Sequence, residues 1–241
     1  MGDSICWESI NLGYEKPLIS NKILLLSAII IVLIVSSGCS AVFVVPQKNR
    51  TNLAKSVKVA CVGDSITEWS GYPAHLQDML GTNYNVGEFG AYSSTVSANS
   101  DKPYMEQVVF QEAKSFDPSI VVIMLGTNDA HICLSTNTFH ADFTRLVLEY
   151  QMLASQPKIF LATPPPIFDN DLNLSDTNLQ EHVIPYIEQA AFELSLPIID
   201  INAALTDRPE CFEDGVHPNS EGASMIASKI CEAIDIDGNQ V

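Results

Sequence analysis

The feature that most constrains the fold lies between residues 57 and 235, where short apolar runs alternate with longer stretches of helical spacing. The runs 57–62, 85–89, 119–125, 158–162 and 197–200 are each bounded by Gly, Pro or polar residues, the mark of short buried strands. Apolar side chains recur at helical intervals over 73–80, 105–114, 138–155 and 176–194, and again over 220–234. Strands separated by helices run parallel, and a parallel sheet must be covered on both faces. The pattern therefore predicts a five-stranded parallel sheet inside a three-layer α/β/α sandwich. There is no internal repeat, and the proline-rich TPPPIFDNDLN segment from Thr163 reads as a rigid loop after a strand.

Ahead of this region the pattern changes. Residues 23–35, ILLLSAIIIVLIV, are almost wholly apolar, and the uncharged stretch continues to Val45, long enough to cross a bilayer as a helix. The chain divides into a tail (1–22), a transmembrane anchor or signal segment (23–45), a linker (46–56), a globular domain (57–235) and a short tail (236–241). A signal peptide cut after the small residues 36–40 and a lipidated Cys39 are the alternatives to an anchor. The leader is long and carries Asp3, Glu8 and Glu15, which is poorly basic for a signal peptide and favours the anchor. The signals for orientation oppose each other. Lys48, Arg50, Lys55 and Lys58 closely follow the span and by the positive-inside rule hold the domain in the cytoplasm. The Asn-x-Ser/Thr sequons at Asn49 and Asn173 fit an extracytoplasmic domain.

Residues 51–241 hold 8 basic and 26 acidic side chains, a net charge of −18. Such a surface repels phosphate, which excludes nucleic acid as a natural partner and disfavours anionic lipid headgroups. Cys61, Cys133, Cys211 and Cys231 follow no metal-ligand pattern and read as buried free thiols. No metal or cofactor is implied: His75, His131, His140 and His182 lack the spacing of a zinc site and read as surface or helix residues, with a place beside the site as a second reading for His131. Trp69, Tyr72, Tyr92 and Tyr104 either line a cavity entrance or pack. The first strand is not followed by Gly-x-Gly-x-x-Gly, so a nucleotide-binding reading lacks its phosphate cradle.

Three motifs fall at the carboxyl ends of expected strands, where open α/β sheets gather their binding residues. They are Gly63-Asp64-Ser65 after the first, Gly126-Thr127-Asn128-Asp129 after the third, and Asp214 with His217 after the last. Their chemistry is complementary. A serine hydroxyl needs a base to become nucleophilic, which His217 supplies, and Asp214 can hold the imidazole in one tautomer. Asn128 and the Ser65 N–H are candidate donors to an oxyanion.

These blocks resemble the SGNH, or GDSL-type, hydrolases. GDSIT is similar to the family's nucleophile block, GTND to the block with its oxyanion asparagine, and DGVHPN to its acid–base block. The resemblance spans nearly all of 57–235. It implies the flavodoxin-like SGNH fold, with Ser65 as nucleophile, His217 as general base and acid, Asp214 as its orienting partner, and Ser65 and Asn128 in the oxyanion hole. One block departs from the family pattern. Where the family reads Asn-Phe-Gly-Val-Ser-Gly-Ala-Thr, this chain has EFGAYSST, with Glu88 in place of the Asn and Ser93 in place of the oxyanion glycine. That position contributes a backbone N–H, which serine also has if it can adopt the required φ and ψ. A shifted alignment assigns the role to Gly90 instead; Ser93 is preferred because the downstream DKPY then keeps its place.

Within the family, YPAHLQDMLGTNYNVGEFG, DKPY, PSIVVIMLGTND, TPPP and LPIID are most similar to small carbohydrate esterases of the sialate O-acetylesterase and acetylxylan esterase kind. The function this implies is cofactor-free hydrolysis of a short acyl ester, acetyl above all, on a glycan or other small hydroxylated substrate. That substrate class in turn favours an extracytoplasmic domain. Two alternatives stand beside it: a lysophospholipase or thioesterase of the same fold, which the absence of a long apolar lid insertion disfavours, and an inactive membrane-tethered glycan-binding module, which the intact Ser65, Asn128, Asp214 and His217 disfavour.

Overall fold

The computed structural model describes residues 56–131 and 138–238, the last three by backbone alone. The expected anchor at 23–45, the N-terminal tail, nearly all of the linker, the last three residues of the C-terminal tail, Asn49 and Cys133 lie outside the described residues. No helix among the described residues is long and apolar enough to cross a membrane.

Five parallel strands form one sheet: β1 (Val57–Gly63), β2 (Tyr84–Gly90), β3 (Ile120–Met124), β4 (Lys158–Ala162) and β5 (Ile198–Ile199), in the order β2-β1-β3-β4-β5. Each expected strand is present, with β5 shorter than its apolar run. Eight helices are described: α1 (Ser65–Trp69), α2 (Tyr72–Leu80), α3 (Val108–Ser115), α4 (Phe139–Gln151), α5 (Asp176–His182), α6 (Ile184–Leu194), α7 (Ile201–Leu205) and α8 (Ser220–Gly238).

Alternation along the strands builds the layers, because successive side chains leave a strand on opposite faces. Ala60, Val62, Val121, Ile123, Ile159 and Leu161 meet Phe110, Phe143, Val147, Leu179 and Ile187, burying α3 to α6 against one face. The intervening Val59, Cys61, Val122, Met124, Phe160 and Ala162 meet Ile66, Leu76, Leu205, Ile226 and Ile230, burying α1, α2, α7 and α8 against the other. The continuous apolar runs of the sequence are thus strands covered twice.

Three local departures from the expected pattern have physical causes. The single helix expected over 176–194 breaks at Val183 (φ −118°, ψ −62°), where Pro185 in the first turn of α6 offers no N–H to the preceding helix. The helix expected from Met105 begins at Val108, after a 3₁₀ turn over Tyr104–Glu106. Helix α1, unmarked by any long periodic pattern, starts directly on Ser65: the Asp64 carboxylate caps it by accepting the Ile66 N–H at 3.0 Å. Gly63 permits this abrupt turn, since a Cβ there would overlap Thr67 and the Met124 carbonyl.

Candidate active site

In the strand order β2-β1-β3, chain direction across the sheet reverses beside β1, so a crevice opens at the carboxyl end of β1. Ser65 stands there, only 6% exposed, at the first position of α1. His217 arrives on the loop before α8, with its Nε2 2.9 Å from Ser65 Oγ. The Asp214 carboxylate takes the other side of the ring, Oδ2 to Nδ1 at 2.7 Å, while its Oδ1 accepts the backbone N–H of His217 at 2.8 Å and of Val216 at 3.0 Å. Burial by itself would raise the Asp214 carboxyl, but these bonds from the His217 backbone and ring and from Val216 outweigh it and hold the group below the usual carboxylate range. An ionised Asp214 fixes the proton on Nδ1 and leaves Nε2 facing the serine as an acceptor.

Ser65, Ser93, Asn128 and His217 line one cavity of about 510 Å³. Asn128 begins a 3₁₀ turn after β3 and gives one amide hydrogen to the Ser94 carbonyl at 2.9 Å; a primary amide has a second hydrogen to offer. Ser93 has φ of 54°, a left-handed conformation that glycine adopts freely and that costs an L-residue about 1 kcal/mol. Gly90 is elsewhere. It ends β2 opposite Gly63, packed so closely on α1 that a Cβ would overlap the Glu68 backbone, and it does not line the cavity. Its missing side chain serves strand-to-helix packing.

The segment carrying Ser93 is tied down by a group to which sequence reasoning gave no role. Asp129, fully buried, accepts the N–H of Val96 and of Ser97, each at 2.9 Å, and the Ser97 hydroxyl at 2.6 Å. Asp142 holds the next residue, accepting the Ala98 N–H at 3.1 Å. Burial pushes the Asp129 carboxyl up to about 6, against the hydrogen bonds from Ser97 and Val96, and pushes Asp64 up to about 6 as well. Asp64 Oδ2 is buried without a hydrogen-bond partner. The only sign of these roles in the sequence is that both aspartates flank motif residues.

The other expectations divide. His131 lines the cavity, so its second reading holds, whereas His140 pairs with Glu193 at 3.2 Å away from it. Trp69 lines the cavity and Tyr92 stacks on it, whereas Tyr72 and Tyr104 are core residues with no exposure. Cys61 and Cys211 are buried free thiols and Cys231 is a partly buried one; burial raises Cys61 to about 12, which makes it inert. Lys102, Leu172, Leu174 and Val216 also line the cavity and were not singled out, because nothing in their local sequence distinguishes them.

The fold is a parallel-sheet α/β sandwich with a Ser65–His217–Asp214 hydrogen-bonded line at the carboxyl edge of the sheet. The sequence model of the GDSL-like Lipase/Acylhydrolase family matches residues 61–225, and the chain belongs to that family. It is 33% identical over 207 residues to an acetylxylan esterase of Xylanibacter ruminicola, an alignment taking in 74% of this chain and 43% of that protein. The chain thus spans less than half the length of that relative. Among solved structures it is similar to a carbohydrate acetylesterase of Sinorhizobium meliloti, with a TM-score of 0.61 at 18% identity over 75% of this chain and 99% of the other. It is similar in the same degree to the aryl esterase of M. smegmatis, with a TM-score of 0.61 at 17% identity over 75% of this chain and 99% of the other. At such identities these two likenesses speak for the fold.

Proposed function

We propose that the protein is a serine esterase that removes short acyl groups, acetyl in particular, from a carbohydrate. The observation that carries this reading is the hydrogen-bonded line from Ser65 Oγ to His217 to Asp214, at 2.9 and 2.7 Å, opening into a cavity shared with Asn128 and Ser93. Ser65 Oγ attacks the ester carbonyl as His217 Nε2 takes its proton. The oxyanion receives hydrogen bonds from the second Asn128 amide hydrogen and the N–H groups of Ser65 and Ser93. Collapse breaks the bond to the alcohol oxygen, which leaves with the proton held by His217 and puts the acyl group on Ser65. Water then gives a proton to His217 and attacks the acyl-serine, releasing the carboxylic acid and restoring the serine. Asp214 stabilises the imidazolium in both halves. The acetyl and carbohydrate parts of the reading are supported by the relative at 33% identity, an acetylxylan esterase.

A panel of 4-nitrophenyl esters from acetate to palmitate, assayed with the full chain and with Ser65→Ala, tests this. Preference for acetate together with loss of turnover in the variant is expected. Preference for palmitate would instead favour the lysophospholipase or thioesterase reading, and no turnover with any ester would favour a binding module.

We further propose that residues 23–45 tether the domain outside the cytoplasm. Asn173 is exposed on a loop, as a glycan acceptor must be. Protease added to the cytoplasmic side of sealed membranes should leave the domain intact; digestion there without permeabilising would reverse the orientation.

A further inference from the structure

We propose that Trp69, braced from behind by Tyr92, forms the platform on which the alcohol half of the substrate lies, and that this half is an uncharged pyranose ring. The inference rests on the esterase reading above and names which face of the site receives the sugar.

Tyr72 and Tyr104 show what the chain ordinarily does with large aromatics, since both have no exposure at all. Trp69 is 58% exposed and Tyr92 50% exposed, although they sit on each other with ring centroids 5.7 Å apart and planes only 15° from parallel. The pair is held in place: Glu68, beside Trp69 on α1, accepts the Tyr92 backbone N–H at 2.5 Å, and the Lys102 ammonium lies 3.2 Å from the Tyr92 ring centroid. Tyr92 is taken up by Trp69 and Lys102, whereas Trp69 lines the cavity and offers it an exposed apolar ring of the kind a ligand covers.

Its position says what the ligand is. The Trp69 ring lies 5.5 Å from the His217 ring, tilted 43° to it, so a group resting on Trp69 is beside the imidazole that must protonate the departing alcohol. A pyranose has C–H faces that suit an aromatic ring and a rim of hydroxyls that need hydrogen-bond partners. The cavity wall supplies both, with Trp69 accompanied by Thr95, Ser100, Asp101 and Lys102. An acyl chain would need a continuous apolar wall, and among the described residues the aliphatic lining is Leu172, Leu174 and Val216. Asp101 and Lys102 put one charge of each sign on the wall, which selects for neither an anionic nor a cationic sugar.

The test compares kcat/KM for β-D-glucose pentaacetate with kcat/KM for ethyl acetate, an ester whose alcohol is too small to stack. The ratio is measured for the full chain and for Trp69→Ala, Tyr92→Ala, Trp69→Phe and Tyr92→Phe, with circular dichroism to verify folding. The ratio is expected to fall about tenfold or more in Trp69→Ala, through KM, and by less in Tyr92→Ala, while the phenylalanine variants stay within about threefold of the parent. A second readout uses Trp7→Phe, which leaves Trp69 as the sole tryptophan: β-D-glucose pentaacetate added to Ser65→Ala in that background should shift Trp69 fluorescence saturably. A ratio unchanged within twofold in Trp69→Ala overturns the inference, as does cleavage of ethyl acetate without cleavage of the sugar ester, and both leave the esterase reading standing. Release of acetate from neither ester by the parent chain sinks the esterase reading, and this inference with it.

Discussion

The loop that carries His217 and the segment that carries Ser93 both border the cavity, and they are held in opposite ways. The His217 loop is held locally: Asp214, half open to solvent, bonds residues two and three positions along the chain. The segment from Ala91 to Tyr104 is held from a distance by buried Asp129, more than thirty residues away in sequence, with Asn128 and Asp142 adding bonds to Ser94 and Ala98. Under the proposed mechanism, the difference matches what each loop would have to do. A histidine that gains and loses a proton needs a charged partner within reach of solvent, where its cation is tolerable. A backbone N–H aimed at an oxyanion needs only to stay still, and buried bonds to a distant part of the chain give that rigidity.

The comparison predicts that damage to the two loops shows up in different measurements. The largest effect is on the chemistry. Ser65→Ala and His217→Ala should each lower kcat on 4-nitrophenyl acetate by about 10⁴–10⁶, with the double variant little worse than either, because the groups act as a unit. Asp214→Asn should cost somewhat less, up to about 10⁴, while leaving the thermal midpoint nearly unchanged. Near-normal turnover in folded Ser65→Ala would contradict the mechanism.

Next in size, Asn128→Ala should cost about 10²–10³ in kcat, as for loss of one side-chain oxyanion donor, whereas Ser93→Ala stays within a few-fold because its backbone N–H survives. An equal loss in both would mean that the Ser93 hydroxyl participates.

Asp129→Asn sharpens the contrast. Its amide must face an N–H where the carboxylate accepted one, so unfolding free energy should drop by about 2–4 kcal/mol in urea titrations. If this variant kept full stability while Asp214→Asn lost it, the assignment of the two loops would be reversed.

The pH dependence tests the buried floor beneath the site. Asp64 and Asp129 sit at about 6 when folded against an ordinary 3.8, so the folded state holds these protons to higher pH than the unfolded chain. The stability they contribute is complete below about pH 4 and is lost as pH rises through about 6. Asp64→Asn cannot ionise there and keeps an oxygen for the Ile66 N–H. Its urea midpoint relative to the parent should therefore improve between about pH 4 and 7; a gap independent of pH would mean that Asp64 is ionised throughout.

The smallest effect is at Ser93. Ser93→Gly relieves the left-handed strain but adds chain entropy to the unfolded state, for a net gain of about 0.5 kcal/mol, readable as a slight rise in the thermal midpoint.

The sequence by itself determined the sheet, its two covering layers and the edge at which the site stands. Strand and helix periodicity are local properties, and Ser65, Asn128, Asp214 and His217 each sit in a short motif at a strand end or in the last loop. Tertiary structure alone decided the rest. Helix α1 is too short to show a period and exists because Asp64 caps it and β1 and β2 pack on it. Whether Gly90 or Ser93 faces the cavity depended on which position packs against α1 and which turns left-handed. The four aromatics weighed together in the sequence divided into core and rim for the same reason: Tyr72 and Tyr104 meet the sheet and its helices, whereas Trp69 meets the cavity and Tyr92 stacks on it from outside. The clamp from Asp129 to the 91–104 segment joins residues more than thirty positions apart, and a bond of that kind leaves no periodic trace in a sequence, because its partners become neighbours only once the sheet has formed.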